Sequence, residues 1–141
     1  MQRLGGLLVS APRMGWILGF SSMASLGLPG LAGFWGEFPA ILSAYNPADG
    51  LSVGLFRTLM VVAAIGTVFA AGYLLWMFQR TAFGKPTEEF AEDPAITDVT
   101  PVEWMSWLPL LVLILGFGMF PGLIFNLSDP AVASIARVFG G

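Results

Sequence analysis

The 141-residue sequence sets six Lys and Arg against nine Asp and Glu, has no His and no Cys, and is 56% hydrophobic with 11% charged residues. Soluble globular chains carry about 25% charged residues, so this is the composition of a membrane protein, with more apolar side chains than one small core can bury. The missing Cys and His exclude disulfides, iron–sulfur clusters, thiolate zinc sites, ordinary haem ligation and Ser–His nucleophiles, and a net charge of −3 argues against nucleic-acid binding.

In chain order, residues 1–13 read as an extramembrane lead-in, because Arg3, Gly5, Gly6, Pro12 and Arg13 leave only a short apolar run between them. That run is too brief for a signal peptide. Three stretches then lack charge: Met14 to Gly36 for 23 residues, Thr58 to Gln79 for 22, and Trp104 to Ser128 for 25. A bilayer core of about 30 Å takes roughly 20 apolar residues in a helix. Each stretch reaches that length, and the first apolar pattern runs on past Glu37 to Tyr45. The expected architecture is an all-α membrane protein with three transmembrane helices over 14–45, 53–80 and 102–126.

Residues 46–52 form a short outer loop rich in turn formers, from Asn46 to Gly50. Residues 81–101 form an acidic loop with Glu88, Glu89, Glu92, Asp93 and Asp98. It ends on Thr100-Pro101-Val102-Glu103, a helix start with Thr as N-cap, Pro in the first turn and Glu three residues after the cap. Glu103 is therefore assigned to capping. Asn126-Leu127-Ser128-Asp129-Pro130 is expected to stop the third helix, leaving 127–141 as a short amphipathic tail at the membrane surface. Val132, Ile135, Ala136 and Phe139 share one face of that tail.

Orientation follows from the cations. Arg3, Arg13, Arg80 and Lys85 fall on one side of the expected spans, and Arg57 and Arg137 on the other. The positive-inside rule places the lead-in and acidic loop in the cytoplasm and the C-terminus outside.

The first span is unusual. From Met14 to Tyr45 a straight helix would be about 48 Å long, well over the hydrocarbon thickness. Its middle reads Leu26-Gly27-Leu28-Pro29-Gly30-Leu31-Ala32-Gly33. Pro29 removes an amide donor and the glycines, Gly30 and Gly33 among them, permit non-helical angles, so the helix is predicted to break near Pro29. Freed backbone groups cannot face lipid, and such breaks characterise ion and substrate paths. Just beyond lies Glu37, the one ionisable residue in the apolar part of this span, four residues after Gly33 and seven after Gly30. This spacing puts all three on one helical face. An intramembrane carboxylate is by default a functional group, and here it points to proton or ion transfer. Two structural readings stand beside that one: a solvated or cation-paired carboxylate at the far interface, and an acceptor for the broken backbone.

Other patterns carry less chemistry. Gly15/Gly19, Gly66/Ala70 and Gly118/Gly122 are helix-packing pairs. The glycines from Gly27 to Gly36 lack the strand and the Lys-Ser/Thr of a phosphate loop. Trp16, Trp76, Trp104 and Trp107 lie near span ends, as an interfacial belt does.

The run Met23-Ala24-Ser25-Leu26-Gly27-Leu28-Pro29-Gly30-Leu31-Ala32-Gly33-Phe34-Trp35-Gly36-Glu37-Phe38 resembles the antiporter-like membrane subunits of proton-pumping NADH:quinone oxidoreductase, respiratory complex I, in the branch called chain M or subunit 4. Leu4-Gly5-Gly6-Leu7, Arg80-Thr81-Ala82-Phe83-Gly84-Lys85 and Gly116-Phe117-Gly118-Met119-Phe120-Pro121 extend the resemblance over essentially the whole chain. It implies that the chain corresponds to the last three transmembrane helices of such a subunit, helices 12 to 14, with Glu37 as the terminal carboxylate of a proton path. It also implies an enzyme subunit without redox catalysis of its own, in an energy-transducing membrane such as the bacterial cell membrane. Flavin, iron–sulfur clusters and quinone would be held elsewhere in the complex. The implied partners are the L- and N-type neighbours and the remaining helices of the same subunit. The family's other proton-path residues, on earlier helices, have no counterpart here, so the chain is expected to be a fragment that does not pump alone. The rival readings are a subunit of a multi-subunit sodium/proton antiporter, in which Lys usually stands near position 37, and a non-catalytic membrane scaffold fragment.

Overall fold

The computed structural model describes residues 5–86 and 97–139, the side chain of Phe139 excepted. Glu88, Glu89, Glu92 and Asp93 of the acidic loop lie outside the described residues, as do Arg3 and Leu4. Within the described residues the chain forms six helices and no strand: α1 Leu7–Ser10, α2 Pro12–Ser25, α3 Ala32–Ser43, α4 Val53–Ala82, α5 Pro101–Met119 and α6 Gly122–Phe139.

Two of these helices are long and apolar enough to cross a membrane, α4 with 30 residues and α5 with 19. At 1.5 Å per residue they extend about 45 and 28 Å. Ser52 caps α4, its hydroxyl accepting from the Leu55 amide at 3.4 Å, and Arg80 in the last turn complements the helix dipole. Thr100 and Glu103 close the reciprocal capping box of α5 in the way the Thr-Pro-Val-Glu pattern predicts. The Glu103 carboxylate accepts from the Thr100 amide at 2.8 Å and from its hydroxyl at 2.9 Å.

The first apolar segment is divided. Helix α2 has 14 residues and α3 has 12, so each falls short of a bilayer core by itself. Helix α2 begins at Pro12, inside the expected lead-in, where proline's missing N–H belongs to the unpaired first turn.

Beyond α5 the boundaries differ from expectation. The uncharged run does not continue as one helix to residue 126; it breaks at Phe120–Pro121, and α6 then runs through Asn126–Pro130 without stopping. The residue before a proline is pushed out of the helical region, and Phe120 stands at φ −126°, ψ 68°. The Pro121 carbonyl accepts from the Ile124 and Phe125 amides, both at 3.0 Å, and so starts α6. Pro130, inside α6, removes one donor without ending the helix. Within the expected separate tail of 127–141, the described residues 127–139 are the second half of a longer helix.

Packing is sparse and depends on small residues. Gly15 lies against Leu8 and Gly19 against Phe78 of α4, where a Cβ would come within 2.8 Å of the ring. Gly118 receives the backbone of Gly30 and Leu31, whereas a Cβ at Gly66 would meet none of the described residues. Ala11, Leu31, Ala82 and Val99 are the buried apolar residues among those described. Large apolar side chains line the outside of α4 and α5, among them Val62, Val68, Phe69, Leu110 and Val112, all more than half exposed. A helix apolar on every side requires lipid or further helices around it.

Candidate functional site

The break between α2 and α3 is a compact turn. Leu26 and Gly27 still bond back to the carbonyls of Ser22 and Ala24, at 3.0 and 3.2 Å, and the Leu31 amide donates to Leu28 at 3.0 Å. Gly27 and Gly30 carry positive φ, 64° and 93°, a region that side chains with a Cβ rarely adopt. Pro29 sits between them, and Leu31 is extended as the residue before α3. Gly33 is already inside α3, pressed on the Ala24 carbonyl at the end of α2.

Glu37 lies one turn further along α3. Its Oε2 stands beside Gly27, 2.8 Å from where a Cβ there would project. Carboxylate and glycine line a recess of about 120 Å³ together with Phe34, Phe38 and the α4 residue Thr67. The Thr67 hydroxyl donates to the Ala64 carbonyl at 2.7 Å, so its oxygen retains lone pairs that can accept. The space is large enough for water, and Glu37 and Thr67 supply the polar partners that ordered water needs.

The expected grouping of Gly30, Gly33 and Glu37 on one face holds for Gly33 and Glu37, which both meet Gly27, and fails for Gly30. Gly30 is outside the helix and turns its carbonyl to Gly118 of α5, because the turn at Leu28–Gly30 rotates the chain before α3 begins. Glu37 is exposed within this chain rather than buried, so its enclosure depends on whatever covers this side of the molecule. Beside it, Trp35 turns the other way and donates its indole N–H to the Gly118 carbonyl at 2.8 Å.

A second polar cluster secures the opposite end of α2. The Asp98 carboxylate accepts from the amides of Arg13 and Met14, each at 3.1 Å, and from its own Val99 amide at 2.8 Å. The Arg13 guanidinium lies 3.9 Å away and reaches the Val99 carbonyl at 3.5 Å. Partial desolvation pushes the Asp98 carboxyl up, but the three amides and Arg13 outweigh it and hold the group below its ordinary value. Asp98 thus caps a helix whose first turn is 84 to 85 residues earlier, a partnership without any local signal in the sequence. The same end is fastened by Gly6, whose amide donates to the Phe83 carbonyl at 3.0 Å. At the far ends of α3 and α4, Arg57 donates to the Tyr45 carbonyl at 3.2 Å and stacks 4.5 Å from the Tyr45 ring. Among the described residues no three His, Cys, Asp or Glu side chains gather as metal ligands would.

An all-helical chain with two helices fit to span a bilayer, a broken apolar segment and a carboxylate at the break has the features of membrane transport subunits. No family model matches the chain. Among curated proteins it is similar to NADH-quinone oxidoreductase subunit M of Rhodobacter capsulatus, 34% identical over 94% of this chain and 24% of the relative. It is also similar to NAD(P)H-quinone oxidoreductase chain 4 2 of Thermosynechococcus vestitus, 34% identical over 97% of this chain and 25% of the relative. A third relative is F(420)H(2) dehydrogenase subunit M of Methanosarcina mazei, 30% identical over 99% of this chain and 27% of the relative. Over almost its whole length the chain is homologous to the subunit M and chain 4 polypeptides of these oxidoreductases, and it spans about a quarter of their length.

Proposed function

We propose that the chain is the C-terminal membrane portion of a proton-translocating subunit of NADH:quinone oxidoreductase, in which Glu37 passes protons toward the outer exit. The observation that carries this reading is the position of Glu37, beside the Gly27 turn and in one recess with Thr67. A carboxylate next to a helix break has unpaired backbone and room for water, both of which a proton path requires. Placed end to end, α2 and α3 are long enough for a core of about 30 Å, so they act as one interrupted span beside α4 and α5. Helix α6 lies at the outer surface, and the lead-in and the loop before α5 face the cytoplasm.

Protons reach Glu37 along groups supplied by other helices of the subunit. Electron transfer occurs elsewhere, where flavin, iron–sulfur clusters and quinone are held. The neighbours are the L- and N-type membrane subunits. Relatives named for NADH, NAD(P)H and F(420)H(2) support a segment indifferent to the electron donor, as a purely proton-conducting part would be. The reading is tested by gentle detergent extraction of native membranes and native electrophoresis with an NADH-oxidation stain and a probe for this chain. Migration with a large NADH-active band is expected; a small inactive species alone would overturn it.

A further inference from the structure

We propose that Trp35 is a positioning residue for Glu37, acting through its hydrogen bond to the Gly118 carbonyl where the breaks of the first and third apolar segments meet. The inference rests on the reading of Glu37 as a proton carrier. Gly118 lies in the last turn of α5, whose final carbonyls have no partner within the helix. A continuing helix would offer the amide of residue 122, but α5 ends at Met119. The Trp35 indole takes that place at 2.8 Å, and in apolar surroundings a bare carbonyl is strongly disfavoured.

The contact joins both breaks. Gly118 has no Cβ, and the space is filled by the Gly30 carbonyl and the Leu31 Cα, so the first turn rests directly on the end of α5. The Trp35 ring also meets Phe34 edge-on at 5.2 Å and Phe125 of α6 edge-on at 6.1 Å. One side chain therefore bridges α3, α5 and α6. Trp35 and Glu37 are two residues apart on α3, about 200° around its axis. With Trp35 held on Gly118, α3 cannot turn about its axis, and Glu37 is aimed at Gly27 and Thr67. A ring without the N–H would fill the same space but lose the directional constraint.

The test uses the complete multi-subunit assembly in proteoliposomes. Trp35→Phe keeps the ring and removes the donor; Gly118→Ala attacks the same contact from α5. Trp76→Phe, which alters a ring stacked on Arg80 instead, is the control. Two readouts are taken: protons moved per NADH oxidised, and the infrared carboxyl band that disappears in Glu37→Gln. For Trp35→Phe we expect NADH oxidation at the flavin to be unchanged, proton yield to fall at least two-fold, and the Glu37 band to be displaced; the control keeps both. An undisplaced band with wild-type proton yield in Trp35→Phe overturns the inference. If Glu37→Gln itself pumps normally, the proton-carrier reading fails, while a displaced band in Trp35→Phe still upholds the positioning contact.

Discussion

Glu37 owes its surroundings to Gly27 as much as to its own place in the sequence. Its isolation as the one ionisable group in a long apolar run is legible in the sequence, but its neighbour is not. Helical spacing pointed to Gly30, whereas the turn carries Gly30 to α5 and leaves Gly27 against the carboxylate. Gly27→Ala is expected to cost about 1–2 kcal/mol from its positive φ and to displace Glu37, seen as lowered thermal stability together with reduced proton yield. Wild-type values for both would refute it. Asp98 was legible only as one charge in an acidic loop, because its partners Arg13 and Met14 are distant in sequence. Its carboxyl is held below the usual 3.8, so the capping is complete above that pH and is lost as pH falls through the lower folded value. Limited proteolysis near Arg13 is expected to increase below that range in the wild type and to be raised at all pH values in Asp98→Asn. Equal protection of the two proteins at neutral pH would contradict the tether.

At the scale of elements, starts were more readable than stops. Thr100, Pro101 and Glu103 lie within one turn, and the cap's side-chain bonds run between Thr100 and Glu103, so local sequence determines the cap. Thr100→Ala is expected to cost about 1 kcal/mol, measured by denaturant unfolding in detergent; no change would mean that the cap is redundant. The end of α5 is not legible in the sequence, because two prolines compete for it. Pro121 forces Phe120 out of the helix and its own carbonyl accepts the first bonds of α6, whereas Pro130 falls where α6 is already established. Where a helix can end depends on whether partners exist for its last carbonyls, and at Gly118 that partner is Trp35 from another element. No window on either helix contains that information.

The whole molecule is defined by what it leaves uncovered. Its apolar composition announced a membrane protein, and its few buried residues show that the helices do not enclose a core of their own. Glu37 is exposed for the same reason, because no described helix of this chain closes its recess, and the chain spans about a quarter of its relatives' length. In vesicles this chain alone is expected to add no proton permeability above empty liposomes. The most direct measurement is the proton-to-electron ratio of the complete assembly carrying Glu37→Gln, in proteoliposomes, with NADH oxidation at the flavin followed in parallel. Intact flavin chemistry with impaired proton translocation is expected; a normal ratio in the fully assembled variant would contradict a proton-carrying role for Glu37.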